Sequence, residues 1–336
     1  MRLLVTGGAG YIGSHTIIEL VKNNHDVLIV DNLVNSSLRS IQRIEKILGK
    51  HIPFYKVDCT DRDALTKVFD HNGIEAVLHF AGLKSVSESV EQPLHYYQQN
   101  IDSMLVLYEV MRIKGVRRII FSSSATVYGD PLELPLHEDS PVNAPTNPYG
   151  RTKSMIEQIF HDLAATDPKL EVTILRYFNP IGAHESGLIG EDPSGAPNNL
   201  FPYISRVAIG TLPFLRIFGN NYNTHDGTGI RDYIHVVDLA EGHMAALEHS
   251  RRGIHIYNLG TGRGTSVLEL IHAFEKACGK PIPYKISARR AGDIAACYAD
   301  CTKANKELGW KAKRTIDDAC QDTWLWQLNN PHGYMD

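Results

Sequence analysis

The stretch RLLVTGGAGYIG (2–13) limits what this chain can fold into more than any other. An apolar run with a β-branched residue predicts a strand over 2–6. Gly7, Gly10 and Gly13 follow at once, and an amphipathic pattern near 12–23 predicts a helix. Glycines in that place let the backbone turn tightly and approach a pyrophosphate, whose charge a helix N-terminus stabilises. Asp31 closes the next predicted strand, 18 residues beyond Gly13. A carboxylate there binds the adenosine ribose hydroxyls and repels a 2′-phosphate, so the unit favours NAD over NADP. Asp58, at the end of the third predicted strand, is a candidate adenine contact. The competing reading is a structural glycine turn with a capping aspartate, and the coincidence of both features in one unit counts against it.

The same alternation continues. Strands are predicted over 2–6, 25–31, 54–58, 76–80, 117–123 and 172–178, with helices near 12–23, 61–72, 93–114 and 149–165. Strand–helix repetition at this spacing implies an α/β fold built on a Rossmann-type, doubly wound parallel sheet with right-handed crossovers. Beyond Phe178 the texture changes. Residues 182–230 are rich in Gly, Pro and Asn and predict long loops forming a binding surface. Helical pattern returns at 238–248, 266–277 and 315–328. The expected division is a nucleotide-binding domain over 1–180 and a smaller C-terminal α/β substrate-binding domain over 181–336, with the chain free to cross back.

Composition narrows the partners. A net charge of −4 argues against a nucleic-acid or anionic-membrane binder, so an acidic ligand must be held by local arginines. Five cysteines (59, 278, 297, 301 and 320) without a CxxC suggest a reducing compartment. Cys297 and Cys301 would share a face if their segment were helical, but two ligands do not make a metal site, and none is expected. The N-terminal apolar run is broken by glycines too early for a signal peptide, and no stretch reaches the ~18 apolar residues of a membrane span. A cytoplasmic protein is expected.

Proton chemistry is suggested by FSSSATVYG (121–129) and PYGRTK (148–153). Tyr149 and Lys153 are one helical turn apart and share a face, and Pro148 suits the first turn of that helix. A free phenol, with a pKa near 10, is a poor base at neutral pH. A fixed lysine cation and a positive nicotinamide ring would favour the phenolate. Lowering the pKa by about 2 to 3 takes about 3–4 kcal/mol of differential electrostatics. Ser124, ending a predicted parallel strand, faces the crevice where such folds bind ligands, and its hydroxyl suits a bond to the reacting oxygen. YxxxK alone is common on helices; its place after a glycine fingerprint and a strand-end serine cluster gives it weight.

Together TGGAGYIG, SSSATVYG and YGRTK resemble the extended short-chain dehydrogenase/reductase superfamily. HFAGLKSVSESV, RYFNPIGAH, GEDPSGAPNNL, DGTGIRDYIHVVDLA and YNLGTG narrow the resemblance to UDP-hexose 4-epimerases of the UDP-galactose (UDP-glucose) 4-epimerase type, over essentially the whole chain. The resemblance implies that Tyr149 takes the proton of the sugar 4-hydroxyl while the 4-hydride passes to NAD. The 4-keto sugar then turns, and the hydride returns to its opposite face. It implies that Lys153 binds the nicotinamide ribose and that Ser124 holds the sugar oxygen. Cofactor contacts carry over to Gly7, Gly10, Tyr11, Ile12, Gly13, Asp31, Asn32, Asn35, Ser36, Asp58, Cys59, Phe80, Ala81, Gly82, Lys84, Ser122, Tyr177 and Phe178. Where the family usually has Asn this chain has Gln99, which alters the geometry of that contact. Substrate contacts carry over to Asn179, Asn199, Leu200, Phe218, Arg231, Arg290, Asp293 and Cys297. Forked arginine donors suit a diphosphate. A homodimer through helices near 93–114 and 149–165 is also implied.

Related chemistries leave different marks. Nucleotide-sugar 4,6-dehydratases carry an Asp-Glu pair after the serine, and related decarboxylases a Glu; this chain has Ala125 and Thr126, which cannot do that acid–base work. A non-catalytic NAD-binding scaffold would be expected to lose Ser124, Tyr149 or Lys153, and all three are present. Cys297, in RRAGDIAACYAD, is on composition alone a small core residue, a redox thiol, a metal ligand or a pocket wall. The resemblance makes it the pocket wall opposite the sugar 2-substituent. Members restricted to UDP-glucose and UDP-galactose often carry Tyr there, and those that also take N-acetylated sugars a small residue. The implied activity covers UDP-GlcNAc/UDP-GalNAc as well as UDP-glucose/UDP-galactose, with an enzyme restricted to the non-acetylated pair as the alternative.

Overall fold

Residue patterns that alternate along the chain become opposite faces of one sheet. The computed structural model describes residues 1–142, 145–193, 199–290 and 293–335; residues 194–198 of the GEDPSGAPNNL motif fall outside them. Strands Arg2–Thr6, Asp26–Asp31, Phe54–Lys56, Ala76–His79, Arg118–Ser124, Glu171–Tyr177 and Gly253–Leu259 form a seven-stranded sheet, every neighbouring pair parallel. The first strand lies centrally, with the second and third to one side and the fourth, fifth, sixth and last to the other. Leu3 and Val5 enter one core cluster with residues of helices Tyr11–Lys22, Leu38–Leu48 and Val236–Glu248. Leu4 enters another with helices Arg62–Asn72, Pro93–Ile113 and Pro148–Thr166. Burial on both faces explains the continuous apolar strands, each Leu or Ile contributing about 1.5–3 kcal/mol. This is the Rossmann-type sheet the sequence implies.

Four details differ from expectation. The third strand stops at Lys56, so Asp58 lies in the loop beyond it. Helix Leu38–Leu48, between the second and third strands, is started by Ser37, whose hydroxyl accepts from the Arg39 amide, and ends at Gly49 with φ 62°. Leu38, Ile41, Ile44, Ile47 and Leu48 recur along it at helical spacing. Residues 182–230 are not loop throughout: helix Leu200–Ala208 and strand Leu215–Phe218 lie within them. Finally, Cys297 ends the two-residue strand Ala296–Cys297, whereas Cys301 precedes helix Thr302–Glu307, so they share no helical face.

Beyond the central sheet, Ile230–His235 pairs with Gly264–Ser266, Ala296–Cys297 and Asn179–Ile181, and Leu215–Phe218 pairs with Tyr284–Ser287. These small sheets share a core of Phe201, Ile204, Leu270, Phe274 and Ala319.

A buried ion pair ties the sheet to the helix that carries Tyr149. Arg176 donates from Nη2 to Glu157 Oε2 at 2.7 Å and from Nε to Oε1 at 3.2 Å, with side chains only 3% and 6% exposed. Ser123 also donates to Glu157, while Arg176 Nη1 reaches the Tyr128 hydroxyl at 2.9 Å and the Glu138 carbonyl at 3.0 Å. Removing one member strands a buried charge. Glu157→Leu or Arg176→Leu should each cost about 3–5 kcal/mol in urea unfolding. The double substitution should cost less than the two together.

Candidate active site

Parallel strands bring their carboxyl ends to one edge, and the singled-out residues of the first half collect there. Gly7, at φ 70°, crosses so close to the exit of the fourth strand that a Cβ would lie 2.7 Å from the Ala81 nitrogen. A Cβ on Gly13 would lie 2.5 Å from the Gly7 carbonyl oxygen. Helix Tyr11–Lys22 begins at Gly10, which has no side chain to cap its first amides. The result is a backbone cradle at a helix N-terminus, a donor set that fits a pyrophosphate.

Asp31 closes the second strand beside this cradle. Its Oδ2 accepts from the Ala9 amide at 3.1 Å, and its Oδ1 from the Leu33 amide at 2.9 Å and the Ser36 hydroxyl at 2.8 Å. Asn32 donates to Asp58 Oδ2 at 2.8 Å. Burial acts to raise the Asp58 carboxyl, but hydrogen bonds from Thr60 and Asn32 outweigh it and hold it below the ordinary range. Asn35 is exposed on the loop between Asp31 and the next helix. Burial, reinforced by the Asp58 and Asp31 carboxylates, pushes the Cys59 thiol up to about 12, so it is inert. Tyr11 donates to the Gly182 carbonyl at 2.6 Å, and Ile12 packs against the first core cluster.

Phe80, Ala81, Gly82 and Lys84 leave the fourth strand. Asn100 pins this loop, accepting from the Leu83 amide at 2.7 Å and donating to the Leu83 carbonyl and to Thr152 Oγ1, each at 3.0 Å. Gln99, next to it, is half-buried.

The fifth strand supplies Ser122 and Ser124, and the helix opposite supplies Tyr149 and Lys153. Asn147 caps that helix, its Oδ1 accepting from the Gly150 amide at 2.8 Å, with Pro148 in the first turn. Gly150 permits close contact with the turn after Ser124: a Cβ there would lie 3.0 Å from the Thr126 carbonyl oxygen. Ser124 Oγ accepts from Thr126 Oγ1 at 3.0 Å. Lys153 Nζ donates to the Ser122 carbonyl at 2.7 Å and stands 4.8 Å from the Phe121 ring centre and 5.9 Å from that of Tyr149.

The electrostatics run against one expectation. Burial pushes the Tyr149 phenol up to about 12, and hydrogen bonding by Ser124 recovers only part of the shift. Burial likewise pushes Lys153 down to about 8, opposed by Glu157. Desolvation outweighs the hydrogen bond from Ser124, so the phenol is shifted upward overall.

Tyr177 ends the sixth strand and Phe178 follows it, and both are buried. The Tyr177 hydroxyl bonds His243 Nε2.

The second half contributes Asn179, Arg231 and Cys297 from one small sheet, where Cys297 stands beside Arg231 and Asn179 beside Tyr233. Arg231 Nη1 donates to the Ile230 carbonyl at 2.8 Å. Arg290 lies 3.8 Å above the Phe218 ring, and Asp293, exposed, is tied to it through a backbone bond of 3.3 Å. Asn199 and Leu200 begin helix Leu200–Ala208, with Asn199 Nδ2 donating to Glu191 Oε1 at 2.6 Å. Cys297 is 7% exposed in a cluster with Val127, Tyr128, Leu136, Phe178 and Ala299. Burial pushes its thiol up to about 11, against the pull of Arg231.

Several residues that organise this region were given no role by the sequence: Asn100 and Glu157, outside its motifs, and Arg176 and Glu191, within RYFNPIGAH and GEDPSGAPNNL. Each acts on a partner distant in sequence. Asn147 alone had a local signal, as an Asn immediately before Pro at a helix start.

Comparison with known proteins agrees with this geometry. Residues 3–260 match the NAD dependent epimerase/dehydratase family, and the chain belongs to it. Its cofactor is accordingly NAD, which the glycine cradle and Asp31 fit. The chain is 58% identical to a UDP-glucose 4-epimerase of Haemophilus influenzae, over all of both chains. Its fold is similar to that of UDP-glucose 4-epimerase from Bifidobacterium longum in complex with NAD+ and UDP, with a TM-score of 0.97 at 55% identity over 99% of this chain and 100% of that one. At greater distance it is similar to the UDP-Glc/GlcNAc 4-epimerase of Campylobacter jejuni, with a TM-score of 0.84 at 35% identity over 98% and 99% of the two chains. Among the described residues no helix is long and apolar enough to cross a membrane.

The depressed Lys153 has a consequence for stability. Between about pH 8 and its ordinary 10.5, the unfolded chain binds the lysine proton and the folded chain has lost it. This residue's contribution therefore rises with pH through that window, by up to about 1.4 kcal/mol per pH unit. Urea unfolding of the protein and of Lys153→Met between pH 8 and 10 should show the steeper rise in the unsubstituted protein.

Proposed function

We propose that this chain is an NAD-dependent UDP-hexose 4-epimerase that interconverts UDP-glucose with UDP-galactose and also UDP-GlcNAc with UDP-GalNAc. The observation that carries the first part is the placing of Ser124, Tyr149 and Lys153 at the sheet edge beside the glycine cradle. When bound, NAD supplies reversible oxidation of the sugar at C4. Tyr149 Oη takes the 4-hydroxyl proton and later returns it, and Ser124 Oγ holds the reacting oxygen. Lys153, fixed by the Ser122 carbonyl, orients the nicotinamide ribose and contributes positive charge. Residues 1–180 hold the cofactor and 181–336 the UDP-sugar, except that strand Gly253–Leu259 belongs to the central sheet. Asn179, Asn199, Leu200, Phe218, Arg231, Arg290 and Asp293 serve the nucleotide and diphosphate, where the stacked Arg290 suits a base-and-phosphate ligand. Tyr149→Phe should lower kcat about 10²–10⁴-fold with NAD still bound.

The wider specificity rests on Cys297. A thiol vacates the volume a phenol would fill, on the scale of an acetamido group. The purified enzyme should turn over both UDP-galactose and UDP-GalNAc, with UDP-glucose and UDP-GlcNAc detected as products. Cys297→Tyr should abolish turnover of the N-acetylated pair and spare the plain pair. Equal loss on both would count against the gate, and turnover of UDP-galactose alone by the unsubstituted protein would leave the restricted enzyme as the answer.

A homodimer completes the reading. Leu94 and Leu105, three helical turns apart on helix Pro93–Ile113, are exposed on one face, and Met155 is exposed on the adjacent helix. A second copy of the chain would cover this face through a four-helix bundle. Light scattering should give the mass of two chains, and Leu105→Glu should shift it to one.

A further inference from the structure

Glu191 joins the two halves of the site through a single oxygen. Its Oε1 accepts from Lys84 Nζ at 3.3 Å and from Asn199 Nδ2 at 2.6 Å. Lys84 leaves the fourth strand of the central sheet, beside the cradle, and Asn199 opens helix Leu200–Ala208 on the other side. The Glu191 side chain is 9% exposed. Its Oε2 is buried without a hydrogen-bond partner among the described residues. Glu191 lines a cavity of about 10 Å³, at the lower limit for one water, which Tyr11 and Thr323 also line; Thr323 Oγ1 is likewise buried and unpartnered among the described residues. Burying a carboxylate is costly unless its partners repay it, so these two donors are what hold the group where it is.

The segment that carries Glu191 is fixed from behind. Arg43, on the cofactor-side helix Leu38–Leu48, covers the paired rings of Trp326 and Tyr334, at 5.4 and 5.0 Å from their centres, and donates to the Leu188 carbonyl at 3.0 Å. Asn330 donates to the Gly187 carbonyl at 3.0 Å. Gly190 lies flat against the Trp326 indole, where a Cβ would approach within 2.5 Å. A loop held in this way cannot follow either donor freely. Lys84 and Asn199 must come to the carboxylate.

We propose that Glu191 is a positioning residue that couples retention of NAD to binding of the UDP-sugar. The inference rests on the function proposed above, in which Lys84 meets the cofactor and Asn199 the sugar nucleotide. With one N–H of Asn199 given to Glu191, the remaining amide atoms are oriented for a ligand. With Lys84 drawn to the same oxygen, its other ammonium hydrogens are oriented for the cofactor. Each ligand that orders its own donor orders the shared acceptor for the other, and coupling of this kind is reciprocal.

The test uses purified protein carrying NAD and measures the rate of NAD release with and without saturating UDP. In the unsubstituted protein UDP should slow release roughly tenfold, within the usual range of coupling between sites. Glu191→Gln, which keeps the shape but replaces one acceptor by a donor and removes the charge that draws Lys84, should reduce that effect to less than about twofold, whatever the change in release without UDP. A full UDP effect in Glu191→Gln would overturn the proposal. So would equally faster release with and without UDP, which marks a residue that only holds the loop. Asn199→Ala provides a second route should Glu191→Gln fold poorly: it too should lose the UDP effect on release, even at UDP concentrations that restore saturation, and retention of the effect there would overturn the coupling. Binding of UDP by the unsubstituted protein without any change in NAD release would overturn the coupling and leave the functional reading standing. Failure to bind UDP at all would overturn both.

Discussion

The Arg176–Glu157 pair is the constraint on which the geometry of the candidate site depends. It lies where the fifth and sixth strands meet helix Pro148–Thr166, and it is buried almost completely. A charge pair in that position survives only when every remaining donor and acceptor is satisfied, and here Ser123, Tyr128 and the Glu138 carbonyl do so. One consequence follows from strand periodicity. With the Ser123 side chain turned to Glu157, those of Ser122 and Ser124 must point to the other face of the strand. Lys153, one turn before Glu157 on the same helix, then meets the Ser122 carbonyl. The ion pair thus fixes the helix register that sets Tyr149 against Ser124.

Within that frame, burial acts on both titratable groups in the same sense, toward neutrality. The phenol is pushed up and the ammonium down because charge of either sign loses its hydration. Lys153 Nζ stands 5.9 Å from the Tyr149 ring centre, and it is the Ser124 hydrogen bond that recovers part of the phenol's shift. In the reading proposed here, positive charge beside the phenol would favour its phenolate. The same dry surroundings strengthen any charge interaction formed there.

What was legible in the sequence was local. The glycine turn needs only neighbours within a dozen residues, and close backbone approach at Gly7 and Gly13 is what glycine makes possible. The helix start at Asn147–Pro148 and the pairing of Tyr149 with Lys153 follow from helix rules alone. Strand Gly253–Leu259 was missed because it is the edge of the sheet and its first four residues are only half-buried, which breaks the apolar run expected of a buried parallel strand. Helix Leu200–Ala208 was hidden by the glycine- and proline-rich residues before it. Asn100, Arg176 and Glu191 were invisible for a different reason. Their partners lie 52, 19 and 107 residues away, and only the completed sheet brings them together.

Cys297 joins both kinds of reasoning. Composition left four uses for it, and the structure bears on each. A thiol pushed up by burial is a poor nucleophile and a poor metal ligand at neutral pH. Its place in a cluster with Val127 and Phe178 sets it against the turn after Ser124 and against the end of the sixth strand. A tyrosine at this position could not keep its ring within that cluster, because close-packed cores do not absorb a ring in place of a thiol. In the function proposed above, the ring would enter the space where the sugar turns. Breadth of substrate in that proposed function would therefore depend less on any group that attracts the acetamido substituent than on a packing position small enough to need no exit.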